Sequence, residues 1–376
     1  RKRIFATLVL INQVVAIGDF IQEGLYDMHL PFYLPDQKLD LHGDVYRLSN
    51  PEEDNTKIPI PLFSGWKSLE RENFEKYQWQ FLAPFFDVMS GENSRPLHYV
   101  LEDSRILPFI EDLEGKGPEP VISGGYSEVW RVKIHPAHHS NSSQTNPDFA
   151  VKRLRPSDRS LETFKREVAT LKRLSRQDHL YLMRLQLTYL WRGNYHLLFD
   201  WADGNLKNFW EMHPSPGDIP RSHEFAIWVA EQLLGLTQGL KAIHSCPPDL
   251  ALEDGAGEDE YAAERTRGRH GDLKPENILW FKQNQQFQCN DNQPHHLGRL
   301  VISDFGLTQF HRLVTGRVDP VNVARTPTYR PPEYDIGDEI TQSFDIWTWG
   351  CVLLEFSIWY LKGFKAWDGF SRERTE

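Results

Sequence analysis

The chain has 376 residues, 40% of them hydrophobic and 25% charged, enough to bury a sizeable core as two domains or as one large domain with an extension. A net charge of −11 argues against a uniform nucleic-acid surface, because phosphate backbones need basic faces. The three cysteines, Cys246, Cys289 and Cys351, are odd in number and far apart, which points away from a disulfide framework or a cysteine metal site and toward a reducing compartment.

The sequence opens on Arg1 rather than Met, so a fragment or a processed product is expected. Its start, RKRIFATLVLINQVVAIG, superficially has the basic and apolar parts of a signal peptide. Asn12 and Gln13 interrupt the apolar part, and no clear small-residue cleavage site follows. Ile4, Leu8, Ile11 and Val15 recur at helical spacing and predict an amphipathic core helix. No segment reaches the ~20 apolar residues that a membrane span needs. Residues 1–110 read as a mainly helical region of unknown role, in which Phe74, Tyr77, Phe81 and Leu82 lie near one face. Trp66, Trp79, Phe85, Phe86 and Tyr99 read as ordinary packing there, and no catalytic constellation is visible. The stretch EDLEGKGPEP, 111–120, is charged and rich in Gly and Pro, the composition of a linker.

Strand-like sequence follows in PVISGGYSEVWRVKI and FAVKRL, separated by HPAHHSNSSQTNPD. That separator reads as a solvated polar loop, and its His135, His138 and His139 lack the Cys or acid neighbours of a metal site. LETFKREVATLKRL predicts an amphipathic helix, YHLLFDW a buried strand, and EFAIWVAEQLLGLTQGLKAIH a long helix. Two polar stretches, PPDLALEDGAGEDEYAAERTRGR and KQNQQFQCNDNQPHHLG, read as insertions.

The chemistry concentrates in RHGDLKPENILWF, 269–281. Asp272, Lys274 and Asn277 at these spacings suit phosphoryl transfer: an acid to take a hydroxyl proton, a cation beside the moving phosphate, an amide oxygen for a metal ion. A charged surface turn is the plainer reading of the same residues. The wider sequence chooses between them. Gly124 and Gly125 in GGYSEVW would let backbone N–H groups approach phosphate oxygens. Lys152 ends the strand FAVK, and Glu167 follows on the amphipathic helix. DFG, 304–306, comes after the apolar run LVIS, and then RTPTYRPPEY and SFDIWTWGCVLLEF.

In that order these motifs resemble the eukaryotic protein kinase family, over about residues 121–360. The resemblance implies an α+β, bilobal protein-kinase fold. A small β-rich N-lobe would span about 121–202 and a larger helical C-lobe about 203–376. Residues 1–110 are similar to the leader of certain fungal kinase-domain proteins. The family's roles carry over by position. Lys152 would contact the α- and β-phosphates of ATP and pair with Glu167. Asp272 would be the catalytic base, Lys274 would sit by the γ-phosphoryl group, and Asn277 and Asp304 would hold Mg²⁺. Ile122, Ser123, Gly124, Gly125, Tyr126 and Ser127 would form the phosphate loop. The backbone of Asp200 and Ala202 would bond adenine, and Val129, Ala150 and Leu279 would sandwich it, with core packing as the plainer role of those three. Lys274 with Thr326 resembles the serine/threonine-specific pattern, in which the Thr bonds the catalytic Asp and the Lys.

Four departures from the family pattern stand out. Ile122 and Ser127 stand where the first and third loop glycines would be. Gly271 replaces an arginine that would otherwise hold a phosphate on the activation segment. HGD also resembles the phosphotransferases that act on antibiotics and choline, although these usually lack DFG and PPE segments. The sequence stops soon after the αF-like helix, so the C-lobe is expected to be incomplete, and Arg372 and Arg374 lie too near that helix to be assigned as the arginine that should pair with Glu333. The expectation is an ATP-dependent serine/threonine protein kinase acting on a protein hydroxyl inside the cell, in cytoplasm or nucleus. A pseudokinase or scaffold and a small-molecule phosphotransferase stay open beside it.

Overall fold

The computed structural model describes residues 1–34, 45–50, 54–88, 96–110, 122–123, 127–141, 146–154, 160–175, 179–215, 223–245, 266–282, 297–305, 309–312, 327–335 and 341–374. Of Ile122, Ser123, Ser127 and Glu167 it describes the backbone alone.

The first elements are α1 (Lys2–Leu10), α2 (Ile17–Gln22), β1 (Tyr46–Asn50), β2 (Asp54–Pro59) and α3 (Ser68–Gln78). They enclose their own core of Ile4, Leu8, Phe20, Leu25, Phe32, Val45, Ile60, Phe63 and Phe74. The rings of Phe20, Phe32 and Phe74 stack at centroid separations of 5.6 to 6.3 Å, which suits offset aromatic packing. The buried Gln78 side chain accepts from Phe32 N at 2.8 Å and donates to Phe32 O at 2.6 Å, closing both backbone groups. Expected as mainly helical, residues 1–110 thus contain strands as well: β3 (Leu97–Val100) and β4 (Phe109–Ile110) follow.

Those two strands belong to the next layer. β5 (Ile122–Ser123), β6 (Ser127–Ile134), β7 (Asp148–Leu154), α4 (Ser160–Ser175), β8 (Leu187–Trp191) and β9 (Asn194–Asp200) come after them. The sheet runs β3-β8-β9-β7-β6-β4, with β5 also on β6. β3 is parallel to β8 and β4 antiparallel to β6, so chain from before residue 111 sits at both ends of the sheet that carries Lys152. One sheet face buries Val132, Ile134, Phe149, Val151, Leu187, Tyr189 and Leu198 against Phe86, Val88 and Leu101. The period of two along β7 sends Phe149 and Val151 into that core and Ala150 and Lys152 to the other face.

The stretch expected as a solvated loop is a docking strip over its first half. Phe86 N donates to His138 O at 2.9 Å, Ser140 N to Phe86 O at 3.1 Å, and Val88 N to Ser140 Oγ at 2.8 Å. His139 is buried and its Nε2 lies 3.0 Å from Asn146 Oδ1. Ser140 Oγ and the His138 ring add side-chain bonds to backbone groups of Val88 and Pro84, while residues 135–137 stay exposed.

The helical part begins with β10 (Gly204–Asn205), α5 (Leu206–Met212) and α6 (His223–His244). It continues through β11 (Thr266–Arg269), β12 (Ile278–Phe281), β13 (Arg299–Ile302), β14 (Gln309–Arg312), α7 (Pro332–Asp335), α8 (Ser343–Lys362) and α9 (Phe364–Glu373). α6 buries Phe225, Trp228, Val229, Leu236, Leu240 and Ile243 at helical spacing. A Cβ on Gly235 would lie 2.1 Å from the Tyr181 ring, so only glycine lets that ring reach α6. Tyr181 O in turn accepts from Ile302 N at 2.9 Å, fixing the end of β13. Phe164, Val168, Leu171 and Leu174 of α4 share one core with these elements. Among the described residues no helix is long and apolar enough to cross a membrane.

Candidate active site

Two short segments meet below the sheet: the loop 270–277 after β11 and the end of β13 at 303–305. His270 joins them. Its ring Nε2 lies 2.9 Å from Ser303 O, its Nδ1 accepts from Asp272 N at 3.3 Å, and its ring stands 5.6 Å from the buried Phe305 ring. With Nδ1 accepting, Nε2 carries the hydrogen and donates to Ser303 O. Ser303 N and Oγ both donate to Asn277 O, at 2.9 and 3.0 Å.

Within the loop, Lys274 Nζ lies 2.8 Å from Asp272 Oδ2. The Asn277 amide nitrogen donates to Asp272 O at 2.7 Å and to Asp272 Oδ2 at 2.9 Å. The residues spaced at 272, 274 and 277 therefore converge on one carboxylate. The short 3-10 turn Pro275–Asn277 folds Asn277 back, with Pro275 supplying a φ suited to its first position. From the sheet, Lys152 Nζ lies 3.1 Å from Asp304 Oδ1, joining β7 to the segment just after β13. Asp304 has φ 58°, a left-handed backbone that costs a non-glycine residue on the order of 1 kcal/mol and recurs where function fixes a side chain.

Lys152 is bonded to Asp304; Glu167 lies on α4, its side chain outside the described residues, as are Gly124, Gly125, Tyr126 and Thr326. Ile122 and Ser123 pair with Val129 and Glu128. Val129 stands opposite Lys152, and Ala150 shares its sheet face. Leu279 on β12 packs against the large core. Asp200 ends β9, and Ala202 lies in the connection to β10. Both Asp200 carboxylate oxygens accept from the Gln186 amide, at 3.1 and 3.0 Å; burial raises its pKa against that hydrogen bond.

Asp345, near the start of α8, was not singled out from the sequence. It is fully buried, and its carboxylate accepts from His270 N at 2.7 Å and Gly271 N at 2.9 Å. His244 Nε2 lies 2.8 Å from the same carboxylate. The available signal was an acid inside a largely apolar helix, which demands buried partners. Gly271 has φ 86°, so the residue replacing the expected arginine stands where the backbone favours glycine.

The arginine expected to pair with Glu333 does not do so among the described residues. Arg374 Nη1 lies 2.6 Å from Glu355 Oε1, Arg372 pairs with Asp368, and Glu333 Oε1 accepts from Ser343 Oγ at 3.4 Å.

Comparison with known proteins points the same way. Residues 265–361 match the family model described as protein kinase domain. The chain is 30% identical over 207 residues to human cyclin-dependent kinase-like 4, covering 55% of this chain and 41% of the relative. It is 25% identical over 245 residues to a probable serine/threonine-protein kinase KIN28 homolog of Encephalitozoon cuniculi, covering 64% of this chain and 63% of the relative. It is 26% identical over 251 residues to a probable leucine-rich repeat receptor-like protein kinase of Arabidopsis thaliana, covering 65% of this chain and 29% of the relative. The chain thus spans less than two thirds of the length of each. Six motifs in order, a sheet lysine bonded to Asp304, and these matches lead to one conclusion: residues 265–361 carry a match to the protein kinase domain, and the chain is similar to protein kinases over more than half of its length.

Proposed function

We propose that the chain is an ATP-dependent serine/threonine protein kinase, transferring the γ-phosphoryl group of ATP to a protein hydroxyl. The observation that carries this reading is the convergence of Lys274 and Asn277 on Asp272, at 2.8 and 2.9 Å, on a loop braced by main-chain bonds. Asp272 takes the proton of the acceptor hydroxyl as its oxygen forms a bond to the γ-phosphorus. The bond from that phosphorus to the β,γ-bridging oxygen breaks, and ADP leaves. Lys274 offsets the charge on the transferring group, and Lys152 contacts the α- and β-phosphates. Asp200 and Ala202 offer backbone groups to adenine, between Val129, Ala150 and Leu279. The substrate is a protein, and the site is intracellular, in cytoplasm or nucleus.

Mg²⁺ fits the donors. Among the described residues no group of three or more His, Cys, Asp or Glu could hold a metal. Asn277 and Asp304 offer two oxygen ligands, which is what a hard cation needs when phosphate oxygens and water complete its shell. Bound with ATP, it supplies charge neutralisation at the phosphates. ATP affinity is expected to fall at least tenfold on adding a chelator, and Asp304→Ala to reproduce that fall without one. Equal ATP binding with and without metal, read by calorimetry, would remove Mg²⁺ from the site.

The direct test is Mg²⁺-dependent transfer of labelled γ-phosphate to a generic basic protein, beside Lys152→Met. Transfer should drop at least tenfold in the variant. A second reading, a pseudokinase or scaffold, draws on Ile122 at the head of the phosphate loop. ATP binding without any transfer by the wild type would favour it.

A further inference from the structure

Away from the cleft, a buried cluster gathers three parts of the chain around one carboxylate. Glu355 of α8 is fully buried. Its Oε1 lies 2.6 Å from Arg374 Nη1 and its Oε2 accepts from Trp367 Nε1 at 3.1 Å. The Tyr329 hydroxyl donates to the same carboxylate at 2.9 Å. The second guanidinium nitrogen of Arg374, Nη2, donates to the backbone carbonyl of Thr328, and the guanidinium carbon stands 5.3 Å from the Tyr329 ring centroid. The arginine fork therefore holds α8 with one nitrogen and the chain at 328 with the other, which a planar guanidinium does and a point charge does not.

Thr328 and Tyr329 lie in the short turn Pro327–Tyr329 that leads into α7. Tyr329 packs against the core that contains Leu273 of the Asp272 loop, and burial first, with the nearby charge of Glu276 adding to it, raises the pKa of both Tyr329 and Glu355. Pro327, Pro331 and Pro332 carry no N–H, which leaves this turn few backbone donors with which to anchor itself.

We propose that Arg374 is a positioning residue that fixes the 327–335 segment beside the Asp272 loop and thereby sets affinity for the protein acceptor. The second half of this statement rests on the kinase reading above. On that reading Arg374, held by Glu355 and Thr328 O, is not among the residues placed at the nucleotide or the reacting atoms. Its loss should change how well an acceptor chain is held and leave nucleotide binding alone.

The test compares wild type, Arg374→Met and the double variant Glu355→Gln/Arg374→Met. The double variant is included because Met alone leaves a buried carboxylate without its cation, whereas Gln keeps a carbonyl for the Tyr329 hydroxyl. Both variants are expected to raise KM for a peptide acceptor about tenfold while KM for ATP stays within twofold. The amides of Thr328, Tyr329 and Arg330 should exchange with deuterium at least tenfold faster, with exchange in α6 unchanged. Unchanged exchange at those amides, or an acceptor KM that does not move, overturns the proposal, as does an equal rise in KM for ATP. If Arg374→Met does not fold, the double variant decides. Should the wild type transfer no phosphate at all, the kinase reading fails by that result, and the exchange comparison still decides whether Arg374 holds the segment.

Discussion

Asp272→Asn is expected to lower phosphoryl transfer ~10²–10⁴-fold, the usual loss on removing a positioned base, with ATP affinity within about threefold of wild type. The substitution keeps the shape of the side chain and one oxygen able to accept from Asn277. It removes the negative charge that faces Lys274 Nζ at 2.8 Å. The loop itself should stay in place, because its fixings are elsewhere: Asp345 accepts from the backbone at His270 and Gly271, and Ser303 is tied to Asn277 O. A loss confined to the transfer step, read by single-turnover kinetics beside calorimetric ATP binding, therefore reports on chemistry. Turnover within a factor of a few of wild type would end the assignment of Asp272 as base.

The parts of this site that can be read from sequence are those whose determinants are local. Alternation along β7 predicts that Lys152 faces away from Phe149 and Val151. The spacing of Asp272, Lys274 and Asn277 is that of a single turn. The apolar positions of α4 and α6 recur at 3.6, and a helix follows. Hidden were the contacts made at long range. Nothing local says that Leu97 pairs in parallel with Leu187, or that Phe86 bonds to His138 and Ser140. Both are satisfied by backbone groups, which every residue carries, so composition leaves no trace of them. The polarity of HPAHHSNSSQTNPD was legible, but whether water or chain satisfies it was not.

Gly271 shows the converse. As a departure from the family pattern it reads as the loss of a phosphate-holding arginine, and hence of a phosphorylation switch by that route. The structure adds a backbone reason: φ is 86° and the amide donates to Asp345. An arginine there would meet conformational strain as well as gain a charge, so restoring the family residue is not a neutral change. The segment from 313 to 326, with Thr315, Arg317 and Thr326, lies outside the described residues.

The two buried acids of α8 divide the support of this region between them. They are ten residues apart (355 − 345) on one buried face, about 15 Å along the helix at 1.5 Å per residue. Glu355 serves the 327–335 segment, and Asp345 serves the loop that carries Asp272. Asp345→Ala is expected to cost about 3–5 kcal/mol of stability. Two backbone N–H groups, at His270 and Gly271, would lose their acceptor in a buried site, at about 1–3 kcal/mol each, and His244 Nε2 would lose its partner at 2.8 Å. Against a typical stability of about 5–15 kcal/mol, that is a large share. Asp345→Asn keeps one acceptor oxygen but turns an amide N–H toward the second donor, so a smaller loss of about 1–3 kcal/mol is expected. Urea unfolding gives the two costs, and hydrogen exchange at Gly271 shows whether the loss is local to the loop. A cost below about 1 kcal/mol for Asp345→Ala, with Gly271 still protected, would mean that His270 and Ser303 hold the loop by themselves, since a surface change away from such contacts is worth only about 0.5 kcal/mol.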